Sequence, residues 1–165
     1  MRSTTKHVLR SWAPVVLWTG LIALESTDTL SSAHTGKFLY SIAATLFGHV
    51  DPHLLELINA VLRKVGHFIG YAVLSLLFLR ALHLSFSFGE TSIRALRRWA
   101  LIAITLTVAV AALDEFHQSF LPSRTGVVRD VVLDMFGALC MQATVLLILR
   151  LRRSRAPQHK AQAAD

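Results

Sequence analysis

The chain of 165 residues has a single cysteine, Cys140. That excludes an intramolecular disulfide and any multi-cysteine zinc site, and leaves Cys140 as a small apolar residue suited to a packed helix. Charge is scarce too. Asp, Glu, Lys and Arg make up 16% of the sequence, where a soluble domain carries about 25%. With 53% hydrophobic residues and a mean hydropathy of +0.51, there is too little polar surface to wrap the chain in water. The sequence has no glycine-rich phosphate loop and no internal repeat.

What is present is a set of four apolar runs, at about Ser11–Leu24, Val65–Leu84, Trp99–Leu113 and Val131–Leu149. A transmembrane helix needs about 20 apolar residues. The first and third runs are shorter, so their helices must extend into flanking polar residues and carry those to the membrane boundary. The fold class expected is therefore all-α, an integral membrane bundle of four transmembrane helices. The domain is expected over 1–152, followed by a basic, disordered cytoplasmic tail over 153–165. A cleaved signal peptide at the first run is disfavoured, because Glu25 and Asp28 lie between its apolar core and the small residues Ser31, Ser32 and Ala33.

The net charge of +7 reads as orientation. Arg2, Lys6 and Arg10, then Arg80, Arg94, Arg97 and Arg98, then Arg150, Arg152, Arg153, Arg155 and Lys160 fall on one side if all four runs cross. The positive-inside rule makes that side cytoplasmic, with both termini inside, as in a multi-pass protein of a bacterial inner membrane. That side holds 12 of the 17 basic residues and 2 of the 10 acids, and the outer side sums to −3. The surplus accordingly implies no nucleic-acid partner; the bilayer is the partner it implies. Trp99 suits an interfacial anchor.

The first outer connection, Glu25 to Lys64, is too long for an empty loop. Two parts of it, Lys37–Phe47 and His53–Lys64, read as interfacial helices. The second is capped by Asp51 and Pro52, shows Leu54, Leu57, Ile58, Val61 and Leu62 on one face, and runs on through Gly66 into the second span.

Ionisable residues in or beside membrane spans are costly, about 2.5–3.5 kcal/mol each at a helix centre on insertion scales. Two clusters carry them. Lys64, His67 and Tyr71 lie at i, i+3 and i+7 and point the same way. Asp114, Glu115, Gln118 and Arg124 close the third span, with Asp130 and Asp134 opening the fourth. Asp114 shares a face with Gln118, and Asp130 with Asp134. Pro122 and Gly126 mark the turn between them. The topology puts both clusters at the outer end.

Together, the pattern KxxHFxxY (Lys64, His67, Phe68, Tyr71) and the pattern DExxQxFxPxR (Asp114, Glu115, Gln118, Phe120, Pro122, Arg124), followed by spaced acids, resemble the VanZ-like membrane proteins. The resemblance runs over roughly Arg63 to Ala138. It implies a small bacterial protein of four or five spans, in a family named for a member associated with low-level teicoplanin resistance. The chain departs from the family pattern in having Asp134 where Asn is expected, then Gly137, and Met141 where a second small residue would sit.

Three roles suit the cluster. Lys64 and Arg124 can neutralise Asp114, Glu115, Asp130 and Asp134 in a structural network. Lys64, His67 and Arg124, with Tyr71 and Gln118, can bind the head group of an envelope lipid, or a glycopeptide-related one, through phosphate, with the acids orienting those bases or holding sugar or peptide groups. His67 with Asp114 or Glu115 can act as a general base on an envelope lipid precursor. Ligand recognition, contributing to antibiotic or envelope-stress resistance, is favoured over chemistry; four short spans leave little room for a channel or transporter path unless the chain oligomerises. No cofactor is implied. A metal site from His67, Asp114, Glu115 and His117 has suitable ligand types, but His117 is expected on a different face from Asp114, and no metal is assigned.

Overall fold

The computed structural model describes residues 2–27, 36, 40–42, 44–46, 48, 51–86, 92–121 and 126–155. Four long helices dominate them: α1 (Arg2–Glu25), α2 (Pro52–Phe86), α3 (Ile93–Gln118) and α4 (Val128–Arg155). Each is long and apolar enough to cross a membrane, and among the described residues there is no strand. The chain is an all-α, multi-pass membrane bundle. α2 is central: α1, α3 and α4 all pack against it, and α3 and α4 also pack against each other.

Local chemistry sets the ends. The Asp51 carboxylate accepts from the His53 backbone N–H at 2.9 Å, and the Asp51 carbonyl accepts from Leu55 N at 3.2 Å. This is the cap that Asp-Pro predicts. Ser92 caps α3 by accepting from Ala95 N at 3.1 Å. The segment 53–64 runs on through Gly66 into the second span, as expected: Pro52–Phe86 is a single helix of 35 residues, about 52 Å long at 1.5 Å per residue. A hydrocarbon core of about 30 Å leaves its first turns outside. Leu54, Leu57, Ile58, Val61 and Leu62 are exposed there. Of the expected helix at Lys37–Phe47, residues 40–42 and 44–46 are helical, and the others lie outside the described residues. α4 continues to Arg155, past the expected domain boundary, and 156–165 lie outside the described residues.

The core is Tyr71, Leu74, Phe78, Leu79 and Leu82 of α2 against Ala100, Ala103 and Ala111 of α3, with Val15 and Ile22 of α1. Small residues bring the backbones together, as is usual between membrane helices. A Cβ added at Gly137 of α4 would collide with the Phe68 carbonyl oxygen of α2. Close approach therefore occurs at Gly137, with Met141 only half-buried one turn further on. At the opposite end from the polar clusters, the Trp12 indole donates to Ser85 Oγ at 3.0 Å, and Phe86 stacks on Trp99 with ring centroids 5.7 Å apart.

Candidate functional site

The antiparallel order of the helices brings the C-terminal ends of α1 and α3 beside the N-terminal end of α4 and the middle of α2. The two sequence clusters meet there. Tyr71, only 1% exposed, donates its hydroxyl to Asp114 Oδ2 at 3.0 Å. Gln118 Nε2, one helical turn along α3, donates to the same oxygen at 3.0 Å and lies 3.3 Å from Ser26 Oγ, just past the end of α1. The i,i+4 pairing of Asp114 with Gln118 is as the spacing predicts. A carboxylate held by two neutral donors thus ties α1, α2 and α3.

The second centre joins α2 to α4. Asp134 is 1% exposed, and its Oδ2 lies 3.7 Å from His67 Nδ1, an ion-pair distance too long for a hydrogen bond. Neither carboxylate oxygen of Asp134, nor His67 Nδ1, has a hydrogen-bond partner among the described residues. The partner of His67 is Asp134, and not the Asp114 or Glu115 that the general-base reading names. The rings of His67 and Tyr71 lie 6.1 Å apart, so the two centres adjoin.

Glu115 does something else. It is buried, and its Oε2 accepts from the Val127 backbone N–H at 2.8 Å. That bond ties the start of α4 to the end of α3. Gly126 is pressed on the same place, since a Cβ there would collide with the Glu115 carbonyl oxygen. Glu115 is a turn-closing residue here. Asp130 is half-buried in the first turn of α4. Lys64 is exposed and makes no ion pair among the described residues, which removes it as the neutraliser of the acids. Arg124 and Pro122 lie outside the described residues.

Among the described residues, two cavities border this end. An apolar groove of about 330 Å³ between α1 and α3 is walled by Thr19, Ile22 and Ala23 on one side and Val110 and Leu113 on the other, and is bordered by Asp114 and His117. His117 thus shares the groove with Asp114, against the sequence expectation of different faces, because i,i+3 residues on a helix are neighbours. A second cavity, of about 10 Å³, is bounded by Glu25, Ser26, His67 and Tyr71 with Gly66 and Gly70; it is about the size of one water. The described residues contain no group of three or more His, Cys, Asp or Glu able to hold a metal ion.

The family model for VanZ/LLP1 matches residues 11–150. The chain belongs to the VanZ/LLP1 family. Comparison with curated proteins gives no match, and comparison with solved structures gives none. The match takes in α2 and α3 whole, most of α1 and α4, and both polar centres of this VanZ/LLP1 protein.

Sequence reasoning missed three contributors of this VanZ/LLP1 chain. Ser26 reaches Gln118, the Trp18 indole donates to the Gly70 carbonyl at 2.9 Å, and Gln142 Nε2 donates to Ser75 Oγ at 2.8 Å and to its carbonyl at 2.9 Å. The last pair was legible. Ser75 is two turns beyond His67 on α2, and Gln142 two turns beyond Asp134 on α4, so each extends a polar stripe already in view. Ser26 and Trp18 carry no such signal, since only tertiary packing brings Trp18 against α2 and Ser26 against the end of α3.

Proposed function

We propose that this protein lies in a bacterial inner membrane with both termini cytoplasmic. It recognises the head group of a cell-envelope lipid, or a glycopeptide-related head group, at its outward-facing polar end, and so contributes to antibiotic or envelope-stress resistance. One observation carries the reading. Asp134 is enclosed by the bundle with neither oxygen hydrogen-bonded among the described residues, a costly arrangement that a purely structural role does not require. The lateral groove that reaches Asp114 supports an amphiphilic ligand arriving from the bilayer. The orientation rests on the three basic segments that share the opposite end.

A second reading, a structural polar network, is favoured at Asp114, which already holds two donors from two helices. The readings divide the site: Asp114 with Tyr71 and Gln118 as lock, His67 with Asp134 as recognition centre. The test is Asp134→Asn, which keeps the volume and removes the charge. Folded yield in detergent, lipids retained in native mass spectrometry and glycopeptide sensitivity of the host are measured together. Folded protein with lost lipid and increased sensitivity is expected. Folded protein with lipid and resistance intact overturns the reading, and unfolded protein assigns Asp134 to the lock.

A further inference from the structure

We propose that the ligand is a phospholipid whose head group ends in an ammonium, its acyl chain in the α1–α3 groove and its cationic end at the carboxylates beside it. This rests on the reading of the site as a lipid-recognition centre and names the chemistry it selects.

The groove supplies the apolar half. Its volume, about 330 Å³, falls at the lower end of the roughly 300–1,000 Å³ of ligand pockets. Leu113 and Ala23, on opposite walls, are exposed, so the groove faces the bilayer sideways. Besides Thr19 on the α1 wall, its polar lining is the border at Asp114 and His117. An acyl chain fits such walls, and a polar group at its end fits the border.

The charges supply the other half. Four carboxylates of α3 and α4 gather at this end: Asp114, Glu115, Asp134 and, half-buried in the first turn of α4, Asp130. Glu115 is engaged by the Val127 N–H, and Asp114 by Tyr71 and Gln118. Asp134 is left, 1% exposed, facing His67 at 3.7 Å with both oxygens unbonded among the described residues. His67 and Tyr71 bound the small cavity, which is about the size of one water and so about that of an ammonium. Ile22 walls both this cavity and the groove, Glu25 also bounds the cavity, and Asp134 adjoins it through His67. A phosphate pushed to this depth would face carboxylates, whereas an ammonium complements them. Lys64, exposed and one turn outward of His67, stands where the phosphate of a zwitterionic head group would lie, and a lysine ammonium serves phosphate as a point charge.

The full-length protein in lipid-depleted detergent is titrated with phosphatidylethanolamine and with phosphatidylglycerol of the same acyl chains, and bound lipid is followed by native mass spectrometry and thermal shift. Phosphatidylethanolamine is expected to bind tighter by about tenfold or more, the scale of one charge-assisted hydrogen bond. Asp134→Asn is expected to erase that preference. Leu113→Trp, which fills the groove from its exposed wall and leaves the core untouched, is expected to weaken binding of either lipid. Equal or tighter binding of phosphatidylglycerol, sensitive to Leu113→Trp, overturns the ammonium while lipid recognition stands. Binding of both lipids indifferent to Leu113→Trp, or of neither, overturns the lipid site itself.

Discussion

Tyr71 illustrates how a residue's worth here depends on its partner. Hydrogen bonds between helices in a membrane average about 0.6 kcal/mol, but bonds to charged groups reach about 1.5–3 kcal/mol. Tyr71 donates to a carboxylate at 3.0 Å from a fully enclosed position. Tyr71→Phe keeps the ring and deletes only the donor, so a loss of about 1–3 kcal/mol is expected, read as a lower unfolding midpoint in detergent. Gln142→Leu is the contrast. It deletes two bonds to Ser75 but also deletes Oε1, a buried acceptor with no partner among the described residues. Those terms oppose, and the same measurement is expected to move by less than about 1 kcal/mol. Spacing alone makes Tyr71, Asp114 and Gln118 legible as residues that point together. The bond from Tyr71 to Asp114 spans two helices, and no local pattern encodes it.

At the scale of the element, the helices are legible because apolar runs longer than a few turns have one stable form in a bilayer, with every backbone group bonded internally. Their ends are less so. The polar turns added at the ends of α1, α3 and α4 continue the same hydrogen-bond ladder without an apolar signature. Packing between elements makes a sharper demand on glycine. At Gly137 a methyl group meets the Phe68 carbonyl, while at Gly20 it meets open space. Gly137→Ala is therefore expected to cost about 1–3 kcal/mol by forcing α2 and α4 apart. Gly20→Ala is expected to gain up to about 1 kcal/mol through helix propensity. Thermal unfolding of the two variants side by side checks both signs, and equal effects would rule out the close approach. The family pattern in the sequence names Gly137 without saying what it touches; the opposing carbonyl does.

For the whole molecule, the charge distribution predicts the sidedness. The basic segments flank the end opposite Asp114 and Asp134, and positive residues are retained on the cytoplasmic side. A periplasmic alkaline phosphatase fused after Arg155 is expected to be inactive, and a cytoplasmic reporter at the same place active. The reverse pattern would turn the polar end inward and remove the outward-facing site. Sequence by itself determined the class of this protein: apolar length and scarcity of charge admit only membrane helices, and the Lys and Arg distribution sets their expected orientation. It also placed both polar clusters at one end, since four crossings alternate direction. Only the tertiary structure decided which polar residue meets which. It gave Asp114 to Tyr71 and Gln118, turned Glu115 to the α3–α4 turn, and left Asp134 with His67. The reason is that burial and pairing depend on helix rotation and on the distance between backbones, and small residues such as Gly137 set these through contacts far apart in the chain.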